Sequence, residues 1–114
     1  MRPENIQKCK RIISEACRKL RLSKKVEKRA LALSTYLYDT GHWPKAVAAG
    51  AIYLAALIEG ERRTQLYVAL ATGTNEVALR ANYKMIFERL VMKQKDPRVL
   101  ARKGKLWTWK AVGP

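Results

Sequence analysis

The sequence predicts an all-α protein, a five-helix bundle that closes with a helix-turn-helix and carries a basic tail. Three observations predict it. Apolar residues recur at three- and four-residue steps through most of residues 2–92. Proline and glycine fall between those stretches, at Pro3, Gly41, Pro44, Gly60 and Gly73. Strand-like alternation is confined to the short Trp107-Thr108-Trp109 run, too brief to define a sheet.

In the first helix Ile6, Cys9, Ile13, Ala16, Cys17 and Leu20 form the inward stripe. Pro3 suits its first turn, and Glu4 suits the positive end of its dipole. Its outward face is basic: Lys8, Lys10, Arg11, Arg18 and Lys19. Ser23 reads as the N-cap of a second helix over about 24–39, with Val26, Ala30, Leu33 and Leu37 turned inward and Thr40-Gly41 as the stop. Pro44 opens a third helix over about 44–58 that is apolar on every side, so other helices must surround it. Its many small residues allow close approach, and Trp43 is expected to cover its top. Thr64 caps a short fourth helix over about 64–72, which Gly73 breaks. Thr74 is expected to cap a fifth, over about 75–92. The domain is therefore 1–92, with the helix-turn-helix at about 64–92. Residues 93–114 form a basic Trp-containing tail, with Trp107 and Trp109 expected to dock on the bundle.

The 114 residues amount to one domain, and 48% hydrophobic content provides a core, which excludes a disordered basic tail. The longest central stretch without charge, Ala46–Ile58, is too short for a membrane span, and no signal peptide follows Met1. On one helix Cys9 and Cys17 would stand about 12 Å apart, beyond disulfide reach. They are expected as small core residues in a reducing, intracellular setting. Two cysteines and the single His42 cannot build a four-ligand zinc site. His42 is expected to be a loop residue without chemistry. No nucleophile–base pair or glycine-rich phosphate loop is present, so the reading is no enzyme, no metal and no cofactor.

Charge is the strongest compositional signal. The formal net charge is +15, from 24 Lys+Arg against 9 Asp+Glu, and it favours an acidic partner, most often nucleic acid. Residues 1–29 hold eleven Lys/Arg against three Glu, whereas residues 30–60 hold only Lys45 against Asp39 and Glu59. Basic runs are usually solvated faces. Their clustering here inclines the reading towards contact with DNA or an acidic protein surface.

The span from Thr64 to Leu90 has the layout of a DNA-reading helix-turn-helix. Ala69 permits a close crossing, Gly73 a left-handed turn, and Leu79 locks the second helix on the first. At 100° per residue Leu79, Tyr83, Ile86 and Leu90 fall on one stripe, while Val77, Arg80 and Lys84 fall roughly 130° away. That outer set suits a major groove: Arg80 for a guanine, Val77 for a thymine methyl, Lys84 for a phosphate. Two helices joined by a glycine turn are also common in any helical bundle, where Arg80 would simply be solvated.

Beyond spacing, Pro44–Leu90, and less tightly Arg2–Thr40, resembles the second cyclin-like repeat of archaeal transcription factor B and eukaryotic general transcription factor IIB. The block Ala48-Ala49-Gly50-Ala51-Ile52-Tyr53-Leu54-Ala55-Ala56-Leu57-Ile58-Glu59-Gly60-Glu61-Arg62-Arg63-Thr64-Gln65 carries the resemblance. Val77-Ala78-Leu79-Arg80 with Tyr83-Lys84, and Leu22-Ser23-Lys24-Lys25-Val26 with Arg29-Ala30, add to it. The resemblance implies a five-helix cyclin-like fold and a transcription initiation factor domain. Such a domain reads the B recognition element just upstream of the TATA box, on DNA bent by the TATA-binding protein. By position, it implies base contacts by Val77 and Arg80, and backbone or supporting contacts by Arg63, Gln65 and Lys84. The family often has Thr where this chain has Ala78, and polar or basic residues at Ala81 and Asn82, so fewer phosphate contacts are expected there. Promoter DNA and the TATA-binding protein are the implied partners, in an archaeal cytoplasm at the nucleoid. The family's zinc ribbon, linker and first repeat have no counterpart in these residues, so the RNA polymerase complex enters only as a further partner. The alternative is a cyclin-fold protein-interaction module that regulates transcription by competing with full-length factor B.

Overall fold

A computed structural model describes residues 1–94. The helices are α1 (Pro3–Lys19), α2 (Lys24–Ser34), α3 (Pro44–Ile58), α4 (Gln65–Thr72) and α5 (Glu76–Gln94), with a single 3₁₀ turn at Thr35–Leu37 after α2. Residues 95–114, including Trp107 and Trp109, lie outside the described residues. Lys93 and Gln94, expected in the tail, continue α5 instead.

The architecture follows from α3. Ala46 to Ala56 are all buried, and α1, α2, α4 and α5 all pack against it. Each fully buried Ile52 or Leu54 side chain contributes about 1.5–3 kcal/mol. Gly50 marks the closest crossing. A Cβ added there would stand 2.7 Å from the Tyr83 backbone nitrogen and 2.9 Å from the Asn82 carbonyl carbon. The backbones of α3 and α5 therefore meet with nothing between them, and the Tyr53 and Tyr83 rings meet edge-on at 5.0 Å beside the crossing.

Cys9 and Cys17 are free and buried, as core residues. Burial pushes the Cys9 thiol up to about 11. Burial, with Glu27 and Glu61 adding negative charge nearby, pushes Cys17 up to about 12. Neither forms a thiolate near neutral pH.

Three local expectations need correction. The second helix ends at Ser34, not near residue 39. The Ser34 and Thr35 hydroxyls donate to the carbonyls of Leu31 (2.8 Å) and Ala32 (2.6 Å), and the backbone tightens to an i−3 bond from Tyr38 to Thr35. The cap of α5 is Asn75, whose Oδ1 accepts the Ala78 N–H at 2.8 Å, rather than Thr74. Trp43 does not cover α3. It is 80% exposed and sits in extended backbone just before Pro44. No helix among the described residues is long and apolar enough to cross a membrane. No group of three or more His, Cys, Asp or Glu among them could hold a metal.

Candidate nucleic-acid interface

The helix-turn-helix is built as its chemistry requires. The Thr64 hydroxyl accepts the Tyr67 N–H at 3.2 Å and starts α4. Gly73 takes φ +81° and lets the Thr74 N–H reach back to the Ala69 carbonyl at 3.0 Å, which ends α4 in a left-handed turn. Leu79 and Ile86 are fully buried and Tyr83 nearly so, which fixes the rotation of α5.

That rotation turns Val77, Ala81 and Lys84 outward, with Val77 69% exposed. Arg80 is part-exposed on the same side. Its Nη1 donates to Gln65 Oε1 at 3.0 Å and lies 3.8 Å from Glu76 Oε2. Gln65 thus holds the guanidinium from the neighbouring helix, and Glu76 balances its charge one turn away. Lys84 has no hydrogen bond or ion pair among the described residues. Val77, Arg80 and Lys84 form one surface, with Gln65 at its edge.

Arg63 sits elsewhere. Its guanidinium donates to the carbonyls of Leu20 (3.1 Å), Arg21 (3.3 Å), Glu61 (3.1 Å) and Arg62 (3.1 Å). The Leu20 and Arg21 carbonyls belong to the unsatisfied end of α1, where Arg21 takes φ +55°. Arg63 therefore ties the entry of α4 to α1 and supports the motif from behind.

Asn82 faces inward, not towards a phosphate. It is buried; its Nδ2 donates to the Ala78 carbonyl at 2.8 Å, and its Oδ1 lies 2.8 Å from His42 Nδ1. With the Asn82 amide so oriented, His42 Nδ1 is the donor. The lone histidine thus ties the loop before α3 to the middle of α5. No motif marks this pair; only the placement of Asn82 two residues past Arg80, turned towards the core stripe, hints at it.

Residues 2–89 match the family model described as Transcription factor TFIIB repeat. The chain belongs to the TFIIB repeat family. Transcription initiation factor IIB 1 of Thermoplasma volcanium is 44% identical over 82 residues, covering 68% of this chain and 26% of the relative. Transcription initiation factor IIB of Pyrodictium occultum is 42% identical over 84 residues, covering 70% and 27%. The Pyrococcus furiosus protein of the same name is 40% identical over 78 residues, covering 65% and 26%. The chain thus spans about a quarter of the length of the curated relatives it matches.

In this TFIIB repeat the run from Glu59 to Gln65 is mostly joinery for the cyclin-like fold. Glu59 pairs with Arg29 at 2.5 Å, and Gly60 takes φ +75°. Glu61 accepts the Ser23 N–H at 2.9 Å and its hydroxyl at 2.5 Å. Those two hydrogen bonds, chiefly, hold its carboxyl below the ordinary 4.5. Arg63 ties down α1, Thr64 caps α4, and Gln65 holds Arg80. The run from Glu59 to Gln65 therefore fixes how α4 and the Val77, Arg80 and Lys84 surface sit on the bundle.

Proposed function

We propose that this TFIIB repeat is a DNA-binding transcription initiation domain, the second cyclin-like repeat of a factor of the B type. It reads the B recognition element upstream of the TATA box, together with the TATA-binding protein. The observation that carries the reading is the outward surface of Val77, Arg80 and Lys84, with Arg80 braced by Gln65. Arg80 and Val77 contact base edges, and Lys84 a phosphate. Gln65 and Arg63 act as supports. Promoter DNA, the TATA-binding protein and, through them, the RNA polymerase complex are its partners, at the nucleoid of an archaeal cytoplasm. It has no catalytic role. The unit that does this is the helical bundle, expected over 1–92, whose last helix runs on to Gln94, and the residues that follow are an appended basic segment.

The test is gel-shift binding to promoter DNA with the TATA-binding protein, comparing an intact with a scrambled upstream element. Tighter binding to the intact element is expected; equal affinity removes sequence reading.

One observation favours the alternative, a protein-interaction module that competes with full-length factor B. Leu66, Tyr67 and Leu70 on α4 are each at least half exposed and together form an apolar face. That reading expects binding to the TATA-binding protein without DNA and with little salt dependence.

A further inference from the structure

Trp43 is the most exposed large apolar side chain among the described residues, at 80%, on a constrained backbone. Pro44 follows it, so its backbone is confined to the extended region, at φ −67° and ψ 139°. It lines a groove of about 450 Å³ with Lys8, Lys45, Asn75 and Ala78. No acidic residue lines this groove, and neither lysine is paired with a carboxylate among the described residues. Lys45 lies along the turn of the helix-turn-helix: a methyl added to Gly73 would stand 3.4 Å from its Cδ and 3.6 Å from its Nζ.

The groove has a defined place relative to the recognition face. Ala78 is about 100° around α5 from Val77, on the side opposite Gln65 and α4. A helix about 10–12 Å across nearly fills a major groove about 12 Å wide. Both sugar–phosphate backbones must then press on whatever flanks α5. On one side that is the entry of α4. On the other it is Trp43, Lys45 and Lys8.

Resting on the DNA reading above, we propose that Trp43, Lys45 and Lys8 form a second backbone clamp. The two ammonium groups pair with successive phosphates of the strand on the Ala78 side, and the indole lies flat against its deoxyribose. The clamp adds affinity without sequence preference and brackets α5 from the side that the helix-turn-helix leaves open.

The experiment uses the full chain, with circular dichroism to verify folding of each variant. Binding to intact and scrambled promoter duplexes is measured with the TATA-binding protein across a salt series. Lys8→Ala with Lys45→Ala is expected to flatten the log–log salt slope by about 1.8, at ~0.9 per lost phosphate contact, and to weaken both duplexes equally. Trp43→Ala is expected to cost about fivefold in affinity on both duplexes, and Trp43→Phe to restore most of it. Unchanged slopes and affinities in these variants, while Arg80→Ala still flattens base preference, overturn the clamp and leave the DNA reading standing. Loss of preference for the intact element in the clamp variants also overturns it, since that would make Trp43 or the lysines base readers. If the unaltered chain distinguishes no duplex and shows no salt-dependent DNA binding, the DNA reading fails and the clamp with it.

Discussion

Arg80 and Arg63 are both arginines of the predicted site, and their partners assign them different work. Arg80 is held by one amide and one distant carboxylate, so a base edge can compete for its free N–H groups. Arg80→Ala should cost about 1–3 kcal/mol in binding and flatten preference at one base position, as measured with a panel of single-base duplex variants. It should leave the unfolding midpoint close to that of the unaltered chain. Arg63 has its donors on backbone carbonyls, two of them at the end of α1. Arg63→Ala should therefore lower folding stability by about 1–3 kcal/mol in urea titrations, since it strands those carbonyls. Glu61 makes the same point through pH. The Ser23 bonds depress its carboxyl below 4.5, so its contribution is present above the unfolded value and disappears as pH falls through the folded one. Glu61→Gln should lower stability at neutral pH and flatten the loss below about pH 4.5, as read from urea midpoints in a pH series.

At the scale of helices, the α3–α5 crossing at Gly50 fixes α5, which carries the proposed DNA-reading surface. Gly50→Ala would drive a methyl to within 2.7 Å of the backbone of α5. It should destabilise the fold by about 1–3 kcal/mol, with thermal unfolding as the readout, and impair DNA binding through displacement of α5. The helices themselves were legible because apolar period and punctuation agree: Pro44 and Gly60 bound an all-round apolar segment, and Ser23 and Thr64 occupy cap positions. What period cannot convey is side-chain bonding to nearby carbonyls, which is why the end of α2 and the cap of α5 differ from expectation. The outer face of α5 was legible for the same reason as the helices, since Leu79, Tyr83 and Ile86 fix its rotation. The roles of Arg63 and Asn82 were not. The partners that define those roles, Leu20, Arg21 and His42, lie 40 or more residues away, and no local pattern encodes such pairs.

For the molecule as a whole, the charge of +15 sets how binding responds to its surroundings. Duplex affinity should fall steeply and linearly on a log–log plot against salt, read by fluorescence anisotropy; a shallow slope, with binding to the TATA-binding protein in the absence of DNA, favours the protein-interaction reading instead. The direct contact at Gly50 has another consequence. Because α5 is anchored through backbone and through Leu79, Tyr83 and Ile86, nothing in the core depends on Val77, Ala81 or Lys84. Those positions can be rewritten without refolding the domain, so on the proposed DNA reading one scaffold is readdressed to different promoters by changing only letters that the interior never reads.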